Sequence, residues 1–389
     1  MTKNDLGLRE KFLSLESELN GEIFERQDEI HSALLALISH SHHFQYGTPG
    51  VGKSFLVDRL VPRIEGLEGD AYFKWLLTKF STPEELFGGP NLKLFKEEGI
   101  YKRITAKKLP VATVSMLDEI FKANSAILNA LLKILNERQF DNCDEDPHIP
   151  LTTIFGASNE IPSSKELEAL SDRLHLWHHV KPMQEPSNFV KMLQLELDPN
   201  PPKILSLEDL EEAHGAASEV AVQDHIYEIF VDLQAELRTA DITVTDRRFH
   251  QSIDVIKAEA WLNNHEVAEV FDMKPLMHML WKDPAHIDTV RSIVLGLVDP
   301  LEKQINDLSD NYRKAISEWE RSLLDSDTAP MRTEATMQMY DKFTKAKKEL
   351  AEYKESEKST GRYCRSLHEF EGYLKSTALQ IRTELGIDD

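Results

Sequence analysis

The chain has 389 residues, 41% of them hydrophobic, enough for two or three folded units with cores of their own. Its 45 lysines and arginines face 67 aspartates and glutamates, a formal charge of −22 that repels a phosphate backbone and disfavours nucleic acid as a partner. No apolar run reaches the roughly 18 residues of a spanning helix and the N-terminus lacks a secretory pattern, which excludes a membrane span and points to the cytoplasm.

Residues 8–40 are expected to form helix, with Leu34, Leu35, Leu37 and Ile38 on an apolar face. A short strand, residues 43–46, runs into Gly47-Thr48-Pro49-Gly50-Val51-Gly52-Lys53-Ser54, a match to G-x-x-x-x-G-K-[ST], and Phe55 to Leu60 continue as helix. Strand, loop and helix in that order is the context a phosphate-binding loop requires. Glycines let backbone N–H groups curl around phosphates, and the helix N-terminus adds a positive dipole end. Lys53 is placed to reach the β- and γ-phosphates and Ser54 to bind Mg²⁺, while Phe55 completes the set of nucleotide-binding residues.

Residues 72–80 suggest a strand edge, and 81–109, with Gly88-Gly89-Pro90 and mixed lysines and glutamates, an insertion of short elements. The apolar run Val111 to Leu117 then ends in Asp118-Glu119, the pattern of a buried parallel strand delivering carboxylates at its C-terminal edge. Asp118 suits the Mg²⁺ shell, and Glu119 suits orienting and deprotonating the attacking water. Residues 140–150 are polar and turn-rich, a hairpin tip whose acidic run is expected to be a solvated loop. A further strand, residues 152–157, ends at Ser158-Asn159 and brings the Asn159 amide to the same edge, where it could hold the lytic water. His40, His42, His43 and His175, His178, His179 lack the spacing and the cysteines of a closed tetrahedral metal site. The two cysteines, Cys143 and Cys364, are expected as reduced thiols.

After Pro182 and Pro186 the apolar residues fall at helical spacing (Phe189, Met192, Leu193, Leu195, then Ile226, Ile229, Phe230, Leu233, Leu237), interrupted by the proline-rich loop at 198–202. Beyond Pro300 three apolar seams step by three or four. They are Leu301 to Leu323, then Met337, Tyr340, Phe343, Ala346, Leu350 and Tyr353, then Tyr363 to Leu385. Breaks at 325–330 and at Gly361 favour three helices folding back as an antiparallel arm.

Taken together these residues resemble the MoxR class of AAA+ ATPases, and within it the RavA-like subgroup. The segments that carry the resemblance are Phe24 to Gln27, Phe80 to Gly88, Leu117 to Ala123, Ala126 to Leu132, Asn136 to Phe140, Ala157 to Glu160 and Thr245 to Arg248, in family order. The resemblance implies an α/β AAA+ P-loop core with a parallel sheet of order 5-1-4-3-2 over residues 1–182, an all-α lid over 183–295 and a triple-helical arm over 296–389. It implies Glu119 as catalytic base, Asn159 as sensor 1, Arg173 as an arginine finger serving the neighbouring subunit, and Arg247 as sensor 2, with Arg248 the competing candidate. ATP and Mg²⁺, a homo-oligomeric ring of hexameric type and a von Willebrand A-domain (VWA) partner are implied in the same way. The small β-rich domain that longer RavA-like arms carry has no room here. A slow nucleotide-gated scaffold ring, or a DNA-dependent motor, are the alternative functions.

Overall fold

The computed structural model describes residues 3–143, 146–162, 165–325, 329–360 and 365–386. Asp144 and Glu145 of the expected hairpin tip, Gly361, Tyr363 and Cys364 lie outside them. Five short strands form one sheet: β1 (His43–Tyr46), β2 (Tyr72–Leu76), β3 (Val114–Asp118), β4 (Thr153–Ser158) and β5 (Leu176–His179). Their spatial order is β2-β3-β4-β1-β5 with every pairing parallel, which is the expected 5-1-4-3-2. Val114 to Leu117 and the whole of β4 are buried, so these strands carry runs of inward-tolerant residues and no polar alternation. The register sets Tyr46 beside Ser158 and Leu117 beside Gly156, so β1, β3 and β4 end side by side.

Ahead of the sheet, the helix expected over 8–40 is two helices, α1 (Lys3–Glu22) and α2 (Gln27–Ile38). Glu25 between them takes a left-handed φ of 59°. No proline marks this break; its cause is tertiary, because the Glu25 carboxylate accepts the backbone N–H groups of Gln184 (2.8 Å) and Glu185 (3.0 Å). Next come α3 (Lys53–Leu60), the insertion helices α4 (Pro83–Phe87) and α5 (Leu92–Glu98), α6 (Ser125–Glu137) and α7 (Lys165–Ser171).

The following segment holds α8 (Pro186–Gln194), α9 (Leu207–Ser218), α10 (Asp224–Thr239) and α11 (Asp246–Leu262). It also carries a two-residue strand, Leu205–Ser206, paired in parallel with Ile64–Glu65, so this region expected to be all-α is not purely helical. Helix α11 packs on α9 and α2. His31 of α2 ties these layers together, its Nε2 lying 2.7 Å from Glu259 of α11 and its Nδ1 3.0 Å from Glu16 of α1. Burial disfavours the imidazolium, but the two carboxylates outweigh it and raise the His31 pKa well above the usual value.

Several histidines that a metal hypothesis would group instead stack as rings: His42 on His175 (5.4 Å), His43 on His178 (5.1 Å) and His178 on His278 (4.3 Å). Ile154 N–H donates to His42 Nδ1 (3.0 Å) and His42 N–H to His175 Nδ1 (3.1 Å), which makes both Nδ1 atoms acceptors and both rings neutral.

The chain divides into two compact units, Met1–Arg291 and Ser292–Asp389, with α12 (Ile287–Val298) running across the boundary. The second unit is formed by α13 (Pro300–Asp325), α14 (Ala329–Thr360) and α15 (Arg365–Leu385), packed around Ile305, Trp319, Leu350, Phe370 and Ile381. The seam on α14 differs from the expected one. Met337 is 59% exposed and Met339 is buried, while Thr336 turns inward because its Oγ1 receives the Trp319 indole N–H at 3.2 Å.

Candidate active site

The phosphate-binding loop leaves β1 at Gly47 and ends where α3 begins. Gly47 N–H donates to Ser158 O at 3.2 Å, fastening the loop to the end of β4. A Cβ on Gly47 would sit 2.3 Å from the Val180 carbonyl oxygen, so no other residue fits. Gly50 and Gly52 hold φ of 85° and 86°, the left-handed region that turns successive N–H groups to one side. Thr48 and Pro49 are exposed, and Val51 and Ser54 are half-buried. Lys53 is buried, its Nζ 2.8 Å from Gly47 O and 3.2 Å from Thr48 O. Burial lowers its pKa, and the Asp118 and Glu119 carboxylates oppose that shift by favouring the charged amine.

Across the sheet edge, Asp118 closes β3 and its Oδ1 accepts the Glu119 N–H at 2.9 Å. Glu119 adopts φ 53°, ψ 42°, a left-handed conformation that costs a non-glycine residue about 1–2 kcal/mol and persists only where the surroundings impose it. Glu119 Oε2 lies 3.2 Å from Lys122 Nζ, a neutralising neighbour that the motif analysis did not assign. The i, i+3 spacing of Glu119 and Lys122 is the feature of the sequence that marks this pair. Asn159 follows β4 directly, with Oδ1 buried and without a hydrogen-bond partner among the described residues. These residues fit a nucleotide and its metal. The cradle tolerates only glycine at Gly47, the Ser54 hydroxyl and Asp118 carboxylate are hard oxygen donors of the kind Mg²⁺ prefers, and Asn159 presents an orphaned acceptor.

Arg173 is elsewhere. It precedes β5, and the next two N–H groups of interest, His175 and Leu176, both donate to His42 O at 3.1 Å, at the N-terminal edge of the sheet. The five residue steps from His42 to Gly47 span about 16 Å of extended chain, so Arg173 and its own loop lie at opposite edges. Arg173 donates to Ala169 O (2.6 Å) and leaves Nε buried without a partner. Beside it, Asp172 accepts from Thr245 Oγ1 (2.9 Å) and Lys282 Nζ (2.6 Å) and lies 3.9 Å from Arg247. Burial lowers the Arg173 pKa, and the Arg247 charge adds to the effect.

The two candidate arginines of α11 have different environments. Arg248 is 1% exposed and donates to the carbonyls of Ser171 (2.9 Å), Leu174 (2.7 Å), His175 (3.3 Å) and Met279 (2.5 Å), over the Trp177 ring. It is a structural clamp, its Nη1 and Nη2 groups engaged by carbonyls and the whole guanidinium buried away from any phosphate. Arg247, 43% exposed, keeps its guanidinium accessible. Arg248→Ala is therefore expected to cost about 3–5 kcal/mol, by leaving buried carbonyls unmet, whereas Arg247→Ala should cost below about 1 kcal/mol. Urea unfolding of both variants checks this.

A cleft of about 560 Å³ adjoins the loop, lined by Phe24, Arg26, Val180, Phe189, Met192 and Leu197 together with Gly50 to Gly52 and Phe55. Its apolar walls suit an adenine ring. Phe24 and Arg26 come from the break between α1 and α2 and Phe189 and Met192 from α8, segments that periodicity alone marked only as helix. Phe189 is 49% exposed, so its apolar position serves the cleft and not a core.

Residues 10–197 match the family described as the MoxR domain in MoxR-vWA-beta-propeller ternary systems, and residues 225–294 match an AAA lid domain. An uncharacterized protein of Methanocaldococcus jannaschii is 35% identical over 308 residues, 79% of this chain and 80% of that one. A second from the same organism is 37% identical over 270 residues, 69% of this chain and 71% of the other. A structural protein of Acidianus two-tailed virus is 24% identical over 256 residues, 60% of this chain and 41% of its own length. Among solved structures, a candidate ATPase from Cytophaga hutchinsonii shares the fold, with a TM-score of 0.60 at 17% identity over 75% of this chain and 94% of that one. With its P-loop, its 5-1-4-3-2 sheet, its lid and these relatives, the chain belongs to the MoxR class of AAA+ ATPases.

Proposed function

We propose that the chain assembles into a ring of hexameric type and hydrolyses Mg·ATP at the interfaces between copies, using the energy to remodel or mature protein partners together with a VWA-domain protein. The observation that carries this is the separation of Arg173 from its own P-loop by the length of the sheet. An arginine that cannot reach its own nucleotide is available to a neighbour's, where it offsets the charge that spreads over the γ-phosphoryl oxygens. Arg247, drawn to the same place by Asp172, would be presented with it.

Within one copy, the loop N–H groups and Lys53 hold the phosphates, and Ser54 and Asp118 hold Mg²⁺. The metal, when bound, would supply charge neutralisation at the phosphates. Glu119 orients the attacking water and takes its proton, and Asn159 Oδ1 accepts from the same water. The partner class rests on the matched MoxR–vWA description. It is also supported by the exposed apolar side chains of the insertion, Leu92 (63%) and Tyr101 (53%), and of Phe80 (90%) just ahead of it.

Arg173→Ala protein should bind ATP and turn it over at least about a thousandfold more slowly. Mixing it with inactive Glu119→Gln protein should restore part of the rate, since hybrid interfaces join an intact base to an intact finger. Absence of rescue at every mixing ratio would overturn the shared site. Stimulation of turnover by a VWA-domain partner is expected, and indifference would favour the scaffold alternative.

A further inference from the structure

The second unit carries a trough that the ATPase cycle does not use. It lies between α14 and α15, encloses about 450 Å³, and is lined by Phe343, Leu350, Ala351, Leu374, Ala378 and Leu379. The two helices run antiparallel, as the Lys354–Glu371 ion pair near their shared turn shows. Leu350 and Leu374 are buried in the core of the arm, and the short side chains of Ala351 and Ala378 leave the depression above them. Leu379 stands 65% exposed at its side and extends the apolar floor to the surface.

The rim is cationic. Lys347 and Lys354 border the trough from α14, Lys375 and Arg382 from α15, and one carboxylate, Glu371, lies among them. Glu371 serves both Lys354 and Lys375, so three lysines against one carboxylate border the trough, in a chain whose formal charge is −22. From Phe343 to Lys354 the trough runs about 16 Å, three helical turns.

From this geometry we propose that the trough docks an amphipathic helix of a partner protein, one with leucine-like side chains on one face and carboxylates flanking them. The apolar face fills the floor over Ala351 and Ala378, and the flanking carboxylates meet Lys347 and Lys354 on one wall and Lys375 on the other. A nucleic acid would satisfy the rim but not the apolar floor. A lipid surface is too flat to enter a concave groove between two helices.

The test uses the full-length protein and a synthetic fluorescein-labelled helical peptide of about five turns, with leucines at i, i+3, i+4 and i+7 and glutamates beside them. Its counterpart has lysine for every glutamate. Anisotropy should show the glutamate peptide binding at least about tenfold more tightly than the lysine peptide, the difference shrinking with salt. Leu379→Asp should weaken that binding at least about tenfold, and the double change Lys347→Glu with Lys375→Glu should invert the preference. These side chains are exposed, so unchanged circular dichroism and unchanged ATPase turnover would show that the fold and the nucleotide site are intact. Equal affinity for both peptides, or affinity indifferent to these substitutions, would overturn the proposal. So would loss on substitution of binding to single-stranded DNA or anionic vesicles when the glutamate peptide does not bind.

Discussion

Glu119→Gln protein is expected to keep its affinity for ATP and lose about 10²–10⁴-fold in turnover. The amide is isosteric with the carboxylate, so the left-handed turn at φ 53° and the bond from Glu119 N–H to Asp118 Oδ1 remain possible. What disappears is the ability to take a proton from water at the edge where β3 and β4 end. The amide also loses its charge attraction to Lys122 Nζ, 3.2 Å away, a partly exposed pair whose loss matters little to stability. Lys53→Ala makes the contrast. It removes the buried amine that reaches Gly47 O and Thr48 O, so nucleotide affinity should fall. Steady-state phosphate release and fluorescent-nucleotide titration separate the two, and a Gln variant with normal turnover would remove Glu119 from the role of base.

Acid should unfold the first unit at a pH well above that of ordinary carboxylate protonation. Burial pushes His43 and His175 down to about 3, with the charges of His278 and of Arg248 and Arg138 adding to it, and pushes His42 and His178 well below the usual value. A folded pKa below the unfolded one means that the unfolded chain takes up protons first. Stability is therefore complete above about pH 6.5 and falls as pH drops toward 3. Near pH 5 a ring held at about 3, as His43 and His175 are, costs about 2 kcal/mol, a large share of the roughly 5–15 kcal/mol that holds a domain folded, and His42 and His178 act in the same direction. Geometry gives the same sign, since protonating His42 or His175 would set a new N–H against the N–H already pointing at its Nδ1. His31 acts in the opposite sense: its raised pKa adds stability that is complete below about pH 6.5 and lost as pH rises through the folded value. Tryptophan fluorescence should follow the transition, because Trp177, Trp261 and Trp281 are all buried. Equal stability near pH 4.5 and pH 7 would contradict this account.

Much of the site was legible before any coordinates because its parts are local. A phosphate loop needs glycine at left-handed positions and at a close approach, and Gly47, Gly50 and Gly52 announce both. Apolar runs ending in Asp118-Glu119 and Ser158-Asn159 mark the edge of a parallel sheet, since strands buried on both faces cannot alternate. The three arm helices follow from seams with breaks between them, although Met337 and Met339 show that a seam can be displaced when a neighbouring indole needs an acceptor.

Other features are invisible to short-range pattern because distant partners create them. The break at Glu25 exists because residues 184 and 185 supply the N–H groups that hold it, and that break contributes Phe24 to the cleft. Arg247 and Arg248 are adjacent and chemically identical on paper. Four backbone carbonyls bury one of them, and Asp172 keeps the other within reach of the surface. Residue chemistry and spacing specify which groups can act on a phosphate; the packing of α11 against the strand ends buries the Arg248 guanidinium and leaves that of Arg247 exposed, so only the second can reach one.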